Sequence, residues 1–198
     1  MDTLNKKWLK GKRNFYFRYK YEVVEGLIEG TCLNVGCGEH KIKGAKNVDY
    51  PSVNAAKLPY KDKSFDTVIL SDVIEHIDSQ GSLKAIQEAF RVCKKKIIIT
   101  VPADLKLWSK YDVELGHFRR YNKIYFDFIV PELQIMGDVF ILVRQTYLFG
   151  LLYPLFYIRK FTSGKTPVLP EWIDNILYKL SKVRLPFGST LLVELEKC

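Results

Sequence analysis

The sequence has few of the side chains that bind metal ions or form disulfide frameworks. Its 198 residues include four cysteines, no two of them in a C-x-x-C pair, and three histidines. Structural metal sites need closely spaced ligand pairs, and disulfide-stapled domains need a much denser set of cysteines. We therefore expect no metal site and no disulfide framework, and we expect the chain to reside in the reducing cytoplasm.

Long apolar runs are also missing. No stretch approaches the roughly 20 apolar residues that a membrane-spanning helix needs, and the basic, aromatic N-terminus has no apolar core of the signal-peptide type. The sequence thus predicts neither a transmembrane segment nor a secretory signal. Its 47% apolar and 14% aromatic content is typical of one packed globular domain.

Acidic residues are too few to balance the basic ones, and the excess lies in two segments. The net charge is +9; residues 1–20 carry seven Lys or Arg against one Asp, and residues 147–184 carry six against two acidic residues. The rest of the chain is nearly neutral. This distribution fits either a solvated basic surface or one positive face for an anionic partner.

Apolar patterns alternate between strands and helices along the chain. Six segments are predicted as strands: "TCLNV", "AKNVD", "SFDTVILSD", "KKIIITVP", "DVFILVRQ" and "STLLVELEK". Helical spacing occurs in "YKYEVVEGLIEG", which ends at Gly30, in "SLKAIQEAFRVC", and in "KIYFDFIVPELQIMG", which Pro131 is expected to break before the helix ends at Gly137. This alternation predicts an α/β fold with helices on both faces of an open sheet.

A long connection, from about Tyr147 to Pro186, separates the last two predicted strands. It opens with twelve uncharged residues, "YLFGLLYPLFYI", and ends in a predicted helix, "EWIDNILYKLSKV". Connections of this length usually form a lid or a binding element. The apolar part is too short to span a bilayer, so we expect either a buried lid helix or a segment at a membrane interface.

Chemically distinctive segments follow three predicted strands. Gly36, Cys37 and Gly38 follow the first strand, Asp49 ends the second, and "LSDVIEH" closes the third. Ligands of open α/β sheets bind beyond the carboxyl ends of the strands, where glycines let the backbone approach a ligand and a carboxylate can accept two hydrogen bonds from a ribose diol. These features predict a site for a nucleoside-containing cofactor.

A dinucleotide cofactor fits this pattern poorly. The G-x-G-x-x-G motif that seats a pyrophosphate is interrupted, because Lys41 occupies the position of the third glycine. Asp49 follows Gly36 by 13 positions, short of the roughly 20 expected for that motif. Glu39 would place a negative charge near any phosphate. We therefore do not expect NAD to bind.

The order of several motifs resembles a known family. "LNVGCG", "NVD", "LPYKDKSFDTVILSDVIEHI", "IIITVP" and "GHFRRY" occur as in class I S-adenosylmethionine (SAM)-dependent methyltransferases, especially the small type-11, ubiquinone-biosynthesis-like group. The resemblance covers roughly residues 30–145 and the terminal "LPFGSTLLVELEK". It implies a Rossmann-like, seven-stranded, mostly parallel sheet whose last strand is antiparallel. It also implies SAM as the cofactor and S-adenosylhomocysteine as its product.

On this resemblance the chain divides into four parts. Residues 1–30 would form a basic N-terminal arm and helix, and 31–146 the SAM-binding core. Residues 147–186 would form a helical, apolar and basic cap inserted between the last two strands, and 187–198 the final strand of the core. The connections around Asp49 are too short for full helices, so the first half of the sheet is expected to be trimmed.

The resemblance also implies which residues hold the methionine end of the cofactor. The backbone of the Gly36–Gly38 loop, Cys37 included, would line the amino-acid end. Ser71 and Asp72, at the end of the third predicted strand, would lie near the same end and the methyl group. Arg18 or Tyr19 of the arm would reach the cofactor carboxylate.

A second set of residues is implied at the nucleoside end. Asp49 would hold the ribose hydroxyls, and Tyr50 would stack beside the adenine. Asn54 stands before Ala55 where the family usually has Asp-Ala, and its carbonyl can still accept a hydrogen bond from the adenine amino group. Leu58 would pack on the adenine.

The segment "ELGHFRRYN" holds the candidates for acceptor chemistry. Methyl transfer from a sulfonium releases a neutral thioether, so a general base is needed only when the acceptor is a hydroxyl, a thiol or an acidic carbon. His117 is the predicted base, with Tyr121 beside it, and Arg119 and Arg120 would clamp a phosphate or carboxylate. The alternative is structural, with Arg119 pairing with acids and His117 capping a helix.

Three other titratable residues near these motifs are expected to be structural. His76 and Glu75 in "VIEHI" would fix a helix start and its loop. His40 is expected to face solvent.

The composition of the basic and apolar segments indicates the type of acceptor. A small or lipid-linked molecule with an anionic head and an apolar tail would satisfy a basic arm, an Arg-rich loop and an aromatic insertion, and would allow peripheral contact with an anionic membrane. Nucleic acid is the second possibility, since basic charge alternates with Phe15, Tyr16, Phe17 and Tyr19. An RNA (tRNA) methyltransferase is therefore the second hypothesis. It is less favoured, because the sequence lacks an "N/D-P-P-Y" motif. A third is a non-catalytic SAM-binding protein.

Overall fold

The computed structural model describes residues 14–133, 139–161 and 169–198. Six strands in these ranges form one mixed sheet in the order β2-β1-β3-β4-β6-β5. They are β1 Cys32–Val35, β2 Lys46–Val48, β3 Phe65–Ser71, β4 Cys93–Pro102, β5 Phe140–Leu148 and β6 Thr190–Lys197. Strand β6 runs antiparallel to both of its neighbours, and the other pairs are parallel. The six predicted strands and the antiparallel last strand are confirmed; the described residues include no seventh strand.

Six α-helices and two short 3₁₀ turns connect the strands in the described ranges. The helices are α1 Phe15–Glu25, α2 Ser79–Val92, α3 Lys110–Glu114, α4 Lys123–Leu133, α5 Tyr153–Arg159 and α6 Glu171–Ser181. The 3₁₀ turns are Ile74–His76 and Leu105–Leu107.

Helices cover both faces of the sheet. On one face, α2 and α4 pack on strand residues such as Leu33 and Leu70. On the other face, α1 and α6 pack on alternate strand residues such as Ile69 and Ile98. Because both faces are buried over β1, β3, β4 and β6, these strands are apolar at most positions, and this explains the apolar runs in the sequence.

Helix α1 lies earlier in the chain than predicted. The Asn14 side chain accepts a hydrogen bond from the Phe17 N–H at 3.2 Å and caps the helix, which ends at Glu25. The predicted end at Gly30 is wrong, because Gly30 has φ +59° and turns the chain into β1. The predicted end was too late because the apolar spacing in the sequence continues past Glu25. The start of the helix is determined by its capping residue, Asn14.

The aromatic residues offered for RNA stacking are mostly used inside the protein. Phe15 and Tyr19 are buried, and Tyr16 stacks on Phe149 with ring centroids 4.5 Å apart. The Tyr16 hydroxyl also bonds the Thr190 Oγ1 at 2.8 Å. These three rings are therefore committed to the core and are not presented to bases.

Pro131 does not break helix α4. The helix includes Pro131 and continues to Leu133, since Phe126, Val130 and Leu133 bury one face of it in the core. The predicted end at Gly137 lies outside the described residues.

The carboxyl ends of the parallel strands meet at one edge of the sheet. Val35 of β1 lies opposite Val48 of β2 and Leu70 of β3. Ser71 of β3 lies opposite Thr100 of β4. The segments that follow these residues are therefore brought together, as expected for the ligand side of an open α/β sheet.

Helix α5 lies over the turn that follows β4. The Tyr153 hydroxyl donates to Asp104 Oδ2 at 2.6 Å, and the Lys160 ammonium donates to the Lys106 carbonyl at 2.8 Å. None of the seven residues of α5 is fully buried, so the expectation of a buried lid helix is wrong for this segment. Among the described helices, none has the length and apolar character needed to cross a bilayer.

Candidate cofactor and acceptor site

The glycine loop after β1 is held close to the sheet on one side and is open on the other. Gly36 and Gly38 have φ of +67° and +49°, a region that favours glycine. A Cβ on Gly36 would lie 2.5 Å from Val73 Cγ2, whereas a Cβ on Gly38 would meet no atom within 4 Å. The Cys37 N–H donates to the Val48 carbonyl at 3.0 Å and so anchors the loop to β2.

Asp49 and Tyr50 present an acceptor carboxylate and an aromatic ring at the end of β2. Asp49 is exposed, and its carboxylate forms no hydrogen bond or ion pair with any residue in the described ranges. Tyr50 is 77% exposed, an unusual position for a large ring in a domain of this kind. The pKa of the Cys37 thiol is raised, mainly by burial and secondly by the negative charge of Asp49. The Asp49 carboxylate therefore acts electrostatically on the glycine loop.

The segment predicted to face the adenine is partly committed to its own turn. The Asn54 amide oxygen accepts a hydrogen bond from the Ala56 N–H at 2.8 Å, which leaves one lone pair for a ligand. Ala55 and Leu58 are buried in the core, and the Leu58 N–H donates to Glu88 at 2.7 Å.

At the end of β3, Asp72 forms an ion pair with Lys20 of α1. Asp72 has φ +54°, and its second carboxylate oxygen accepts from Thr100 Oγ1 at 3.1 Å. Ser71 Oγ bonds the same Thr100 hydroxyl at 2.8 Å. The strand end predicted to face the cofactor therefore carries a connected polar network.

Lys20 is the site residue that sequence reasoning missed. Its side chain is fully buried, and the ammonium lies 4.9–5.1 Å from the ring centres of Tyr16, Phe17 and Tyr21. Burial alone would lower the pKa of Lys20, but the Asp72 carboxylate outweighs it and the pKa is raised, so the ammonium stays charged.

Arg18 and Tyr19 do not reach this strand end, which corrects the prediction for the arm. Arg18 pairs with Asp174 of α6 at 3.3 Å and covers the Tyr178 ring at 3.9 Å. Tyr19 is buried in the core. Tyr19 is one helical position from Lys20 and Arg18 is two, and each step along a helix changes the face by about 100°.

Asp112 is the centre of the "ELGHFRRYN" segment. Its buried carboxylate accepts a hydrogen bond from His117 Nδ1 at 3.0 Å. It accepts two more from Arg120, from Nε at 2.9 Å and from Nη2 at 3.0 Å. Burial would raise the pKa of Asp112, but the hydrogen bonds from His117 and Arg120 outweigh it and lower the pKa to about 2. Arg120 also donates to the Ala103 carbonyl at 3.0 Å, so the prediction that it clamps a substrate is wrong.

Tyr121 and Arg119 differ in their availability. Tyr121 is 3% exposed and its hydroxyl donates to the Ile74 carbonyl at 3.1 Å. Burial raises its pKa well above the usual value, so a catalytic role for Tyr121 is excluded by this position. Arg119 is half-buried and donates to Ser82 Oγ at 3.1 Å.

Glu75, His76 and His117 come together beside this segment. One ligating atom from each lies within 4.8 Å of the others, and the two imidazole rings are 4.7 Å apart. The Phe118 N–H donates to the Glu75 carbonyl at 2.7 Å and joins the two loops. Burial and the nearby charge of Asp72 raise the pKa of the Glu75 carboxyl well above its usual range.

His40 is not solvent-facing as predicted. Its ring stacks on Tyr21 with centroids 3.3 Å apart, and its Nε2 lies 3.0 Å from Glu25 Oε1. It thus packs the glycine loop segment against α1.

The sequence carried a signal for the role of Asp112 but none for the role of Lys20. The Ser109 backbone N–H and hydroxyl both donate to Asp112, at 2.9 Å and 3.2 Å. A Ser three residues before an acid is a known helix-start pattern, so Asp112 was detectable. Lys20 lies 52 residues from Asp72, and no local pattern connects them.

Part of the chain is similar to known proteins. Residues 31–100 match the model of a family described as a methyltransferase domain. The ubiquinone/menaquinone biosynthesis C-methyltransferase UbiE of Bartonella bacilliformis is 41% identical over 71 residues, which are 34% of this chain and 25% of that protein. The chain therefore matches about a quarter of the length of its curated relative.

Two solved structures share the fold. A SAM-dependent methyltransferase of Thermotoga maritima, a possible histamine N-methyltransferase, has a TM-score of 0.56 and 16% identity, covering 94% of this chain and 90% of that chain. A SAM-dependent methyltransferase of Archaeoglobus fulgidus has a TM-score of 0.54 and 15% identity, covering 98% of both chains.

The chain thus has the Rossmann-like fold of these SAM-dependent methyltransferases, and its residues 31–100 resemble a methyltransferase domain. On this resemblance the expected cofactor is SAM.

The donor set fits this cofactor. The open side of Gly38 leaves room for a ligand against the backbone, and the Asp49 carboxylate offers two acceptor oxygens to a diol. The exposed Tyr50 ring adds an apolar surface beside them.

Proposed function

We propose that this chain is a methyltransferase that transfers the methyl group of SAM, in line, to a small or lipid-linked anionic acceptor. The observation that carries the proposal is the Asp49 carboxylate, left without a protein partner in the described ranges, beside a glycine loop with open space. The match to a methyltransferase domain supports the reaction class.

The residues of the chain supply binding and alignment. When bound, SAM supplies an electrophilic methyl group whose transfer leaves a neutral thioether. The backbone of Gly36–Gly38 and the Asp49 carboxylate would hold it, and Asp72 would orient the methionine end. Catalysis then consists largely of placing an acceptor in line and excluding water.

His117 is the group placed to accept a proton from a hydroxyl acceptor. Its Nδ1 is occupied by Asp112 at 3.0 Å, which orients the ring and directs the Nε2 lone pair away from that carboxylate. His117 therefore remains the predicted base when the acceptor needs one.

The surface of the inserted helices supports an amphipathic acceptor. Ile158, Phe161 and Trp172 are each more than 60% exposed, and Lys160 lies in the same segment. Helix α5 is anchored to the turn after β4, on the ligand side of the sheet. Exposed apolar side chains next to cations are suited to an anionic head with an apolar tail, or to an anionic membrane surface. The curated relative is named as a C-methyltransferase of ubiquinone/menaquinone biosynthesis, and this name supports a small-molecule acceptor.

Transfer from methyl-labelled SAM to cellular fractions tests the acceptor. Three fractions are incubated with the protein: an organic lipid extract, an aqueous metabolite extract and purified tRNA. We expect label in the lipid extract or, for a small acceptor, in the aqueous extract. Label confined to tRNA would contradict the proposal.

The exposed Phe161 provides a specific test of membrane contact. Phe161→Ala is expected to weaken sedimentation with anionic phosphatidylglycerol vesicles by about tenfold, because burying a Phe side chain in the interface is worth roughly 1.5–3 kcal/mol. Phe128→Ala on α4 is the matched control, since these two phenylalanines are 70% and 73% exposed. Equal losses in the two variants, or no vesicle binding by the parent chain, would remove membrane contact from the proposal.

A further inference from the structure

We propose that Glu75, His76 and His117 form a binding site for one divalent transition-metal ion of the Zn²⁺ type. Two imidazoles and one carboxylate are the ligands that such ions prefer, and Mg²⁺ and Ca²⁺ prefer oxygen alone. The histidines lie 41 positions apart in the sequence, and the short spacing of a familiar zinc motif is absent. The site is created by the fold, which is why the sequence predicted none.

The three ligating atoms are already close together. All of them lie within 4.8 Å of one another. Ligands bound to Zn²⁺ at about 2.1 Å are roughly 3–4 Å apart, so small side-chain rotations suffice to close the site. The bond from the Phe118 N–H to the Glu75 carbonyl, at 2.7 Å, fixes the relation between the two loops.

The Glu75 carboxylate is the independent observation that points to a ligand. Its side chain is fully buried, and neither of its oxygens has a hydrogen-bond partner in the part of the chain that the structure describes. A buried ionised carboxylate without partners is costly, and either a proton or a bound cation removes this cost. Glu75 lies within the cluster, within 4.8 Å of the ligating nitrogens of both histidines.

An outer contact orients the His117 imidazole. Asp112 Oδ1 accepts a hydrogen bond from His117 Nδ1 at 3.0 Å. Metal-binding histidines commonly donate one ring nitrogen to a carboxylate or carbonyl and bind the ion through the other. His76 is exposed, which provides an entry path for the ion.

An ion at this site changes the role assigned to His117. A nitrogen that binds a metal cannot also accept a proton. His117 therefore cannot serve as general base and as metal ligand through the same nitrogen. Three protein ligands leave a coordination position open, and in a methyltransferase an acceptor oxygen could bind there and be polarised. That use rests on the proposed function, whereas the metal site itself does not.

The test is titration of the reduced, full chain, carrying no histidine tag, with Zn²⁺ by calorimetry and with Co²⁺ by visible absorption. The variants are His76→Gln, His117→Gln and Glu75→Gln. His40→Gln is the matched control, because His40 is the one remaining histidine of the chain. His76→Gln is the decisive variant, since an exposed side chain is the least able to disturb folding; unfolding midpoints confirm that each variant is folded.

We expect one Zn²⁺ per chain, binding weakened at least about 100-fold in His76→Gln and His117→Gln, and no change in His40→Gln. Co²⁺ should show ligand-field bands without the intense near-ultraviolet absorption of a thiolate complex. Binding that survives His76→Gln, requires His40, or has no defined stoichiometry would overturn the site. A parallel SAM titration of the parent chain separates the two proposals: SAM binding without Zn²⁺ binding refutes the metal site, and Zn²⁺ binding without SAM binding refutes the proposed function.

Discussion

Lys20 and Asp72 join helix α1 to the end of β3 at the point where the methionine end of a cofactor is expected. The Lys20 side chain is wholly buried, and Asp72 retains 27% of its side-chain exposure. The Lys20 ammonium lies near three aromatic rings. Its interactions with the Asp72 carboxylate and with these rings replace its hydration. Removing one partner would leave the other charge poorly solvated.

Lys20→Met is therefore expected to lower the free energy of unfolding by about 2–4 kcal/mol, below the upper end for a fully buried pair because Asp72 is partly exposed. Urea unfolding at neutral pH measures this loss. Adding Asp72→Asn should recover part of it, since no unpaired charge remains. A double variant as unstable as the sum of the two single variants would show that the pair is not coupled.

Residue roles were predictable where the local sequence determined them. Gly36 and Gly38 follow β1 and Asp49 follows β2, and the structure places them together at the strand ends. Arg120 and Tyr121 were assigned wrongly, because their availability depends on Asp112 and on the Ile74 carbonyl and not on their neighbours in sequence.

Among the secondary-structure elements, β1 and β3 are joined near their starts by hydrogen bonds between Thr31, the residue before β1, and Asp66, the second residue of β3. Asp66 Oδ2 accepts from the Thr31 backbone N–H at 2.9 Å and from the Thr31 hydroxyl at 2.8 Å. The Asp66 N–H donates back to Thr31 Oγ1 at 3.0 Å. The hydrogen bonds from the Thr31 backbone and side chain lower the pKa of Asp66 to about 2.

This lowered pKa predicts a pH dependence of stability. A carboxyl whose pKa falls on folding stabilises the folded state above its unfolded value of 3.8, and the contribution is lost as pH falls from about 4 to 2. Asp66→Asn should make urea midpoints less dependent on pH in that interval, and Thr31→Val should have a smaller effect of the same sign. An unchanged slope in Asp66→Asn would contradict the assignment.

The strands were predicted better than the helices because burial on both faces leaves a continuous apolar signal. The start of α1 depended on a single cap, Asn14, and its apolar spacing also fits the turn that follows it. Helix α4 kept Pro131 because its buried face compensates for the local cost, a tertiary effect that spacing alone does not show.

At the scale of the whole molecule, the sheet gathers the glycine loop, Asp49 and Asp72 at one edge, and α5 covers the turn beside them. The seven-stranded sheet implied by the resemblance is reduced to six strands in the described ranges, with β2 at the edge. The short connections around Asp49 predicted a trimmed first half of the sheet, since they have no room for full helices.

The central claim is that this edge holds SAM, with Asp49 as the ribose ligand. Calorimetric titration with SAM, S-adenosylhomocysteine and NAD tests it most directly, with Asp49→Ala as the variant and Glu132→Ala, another exposed carboxylate, as the control. We predict micromolar binding of both sulfur ligands, weakened about 10- to 100-fold in Asp49→Ala, unchanged in Glu132→Ala and absent for NAD. NAD binding in place of SAM, or equal SAM affinity in Asp49→Ala and the parent chain, would contradict the account.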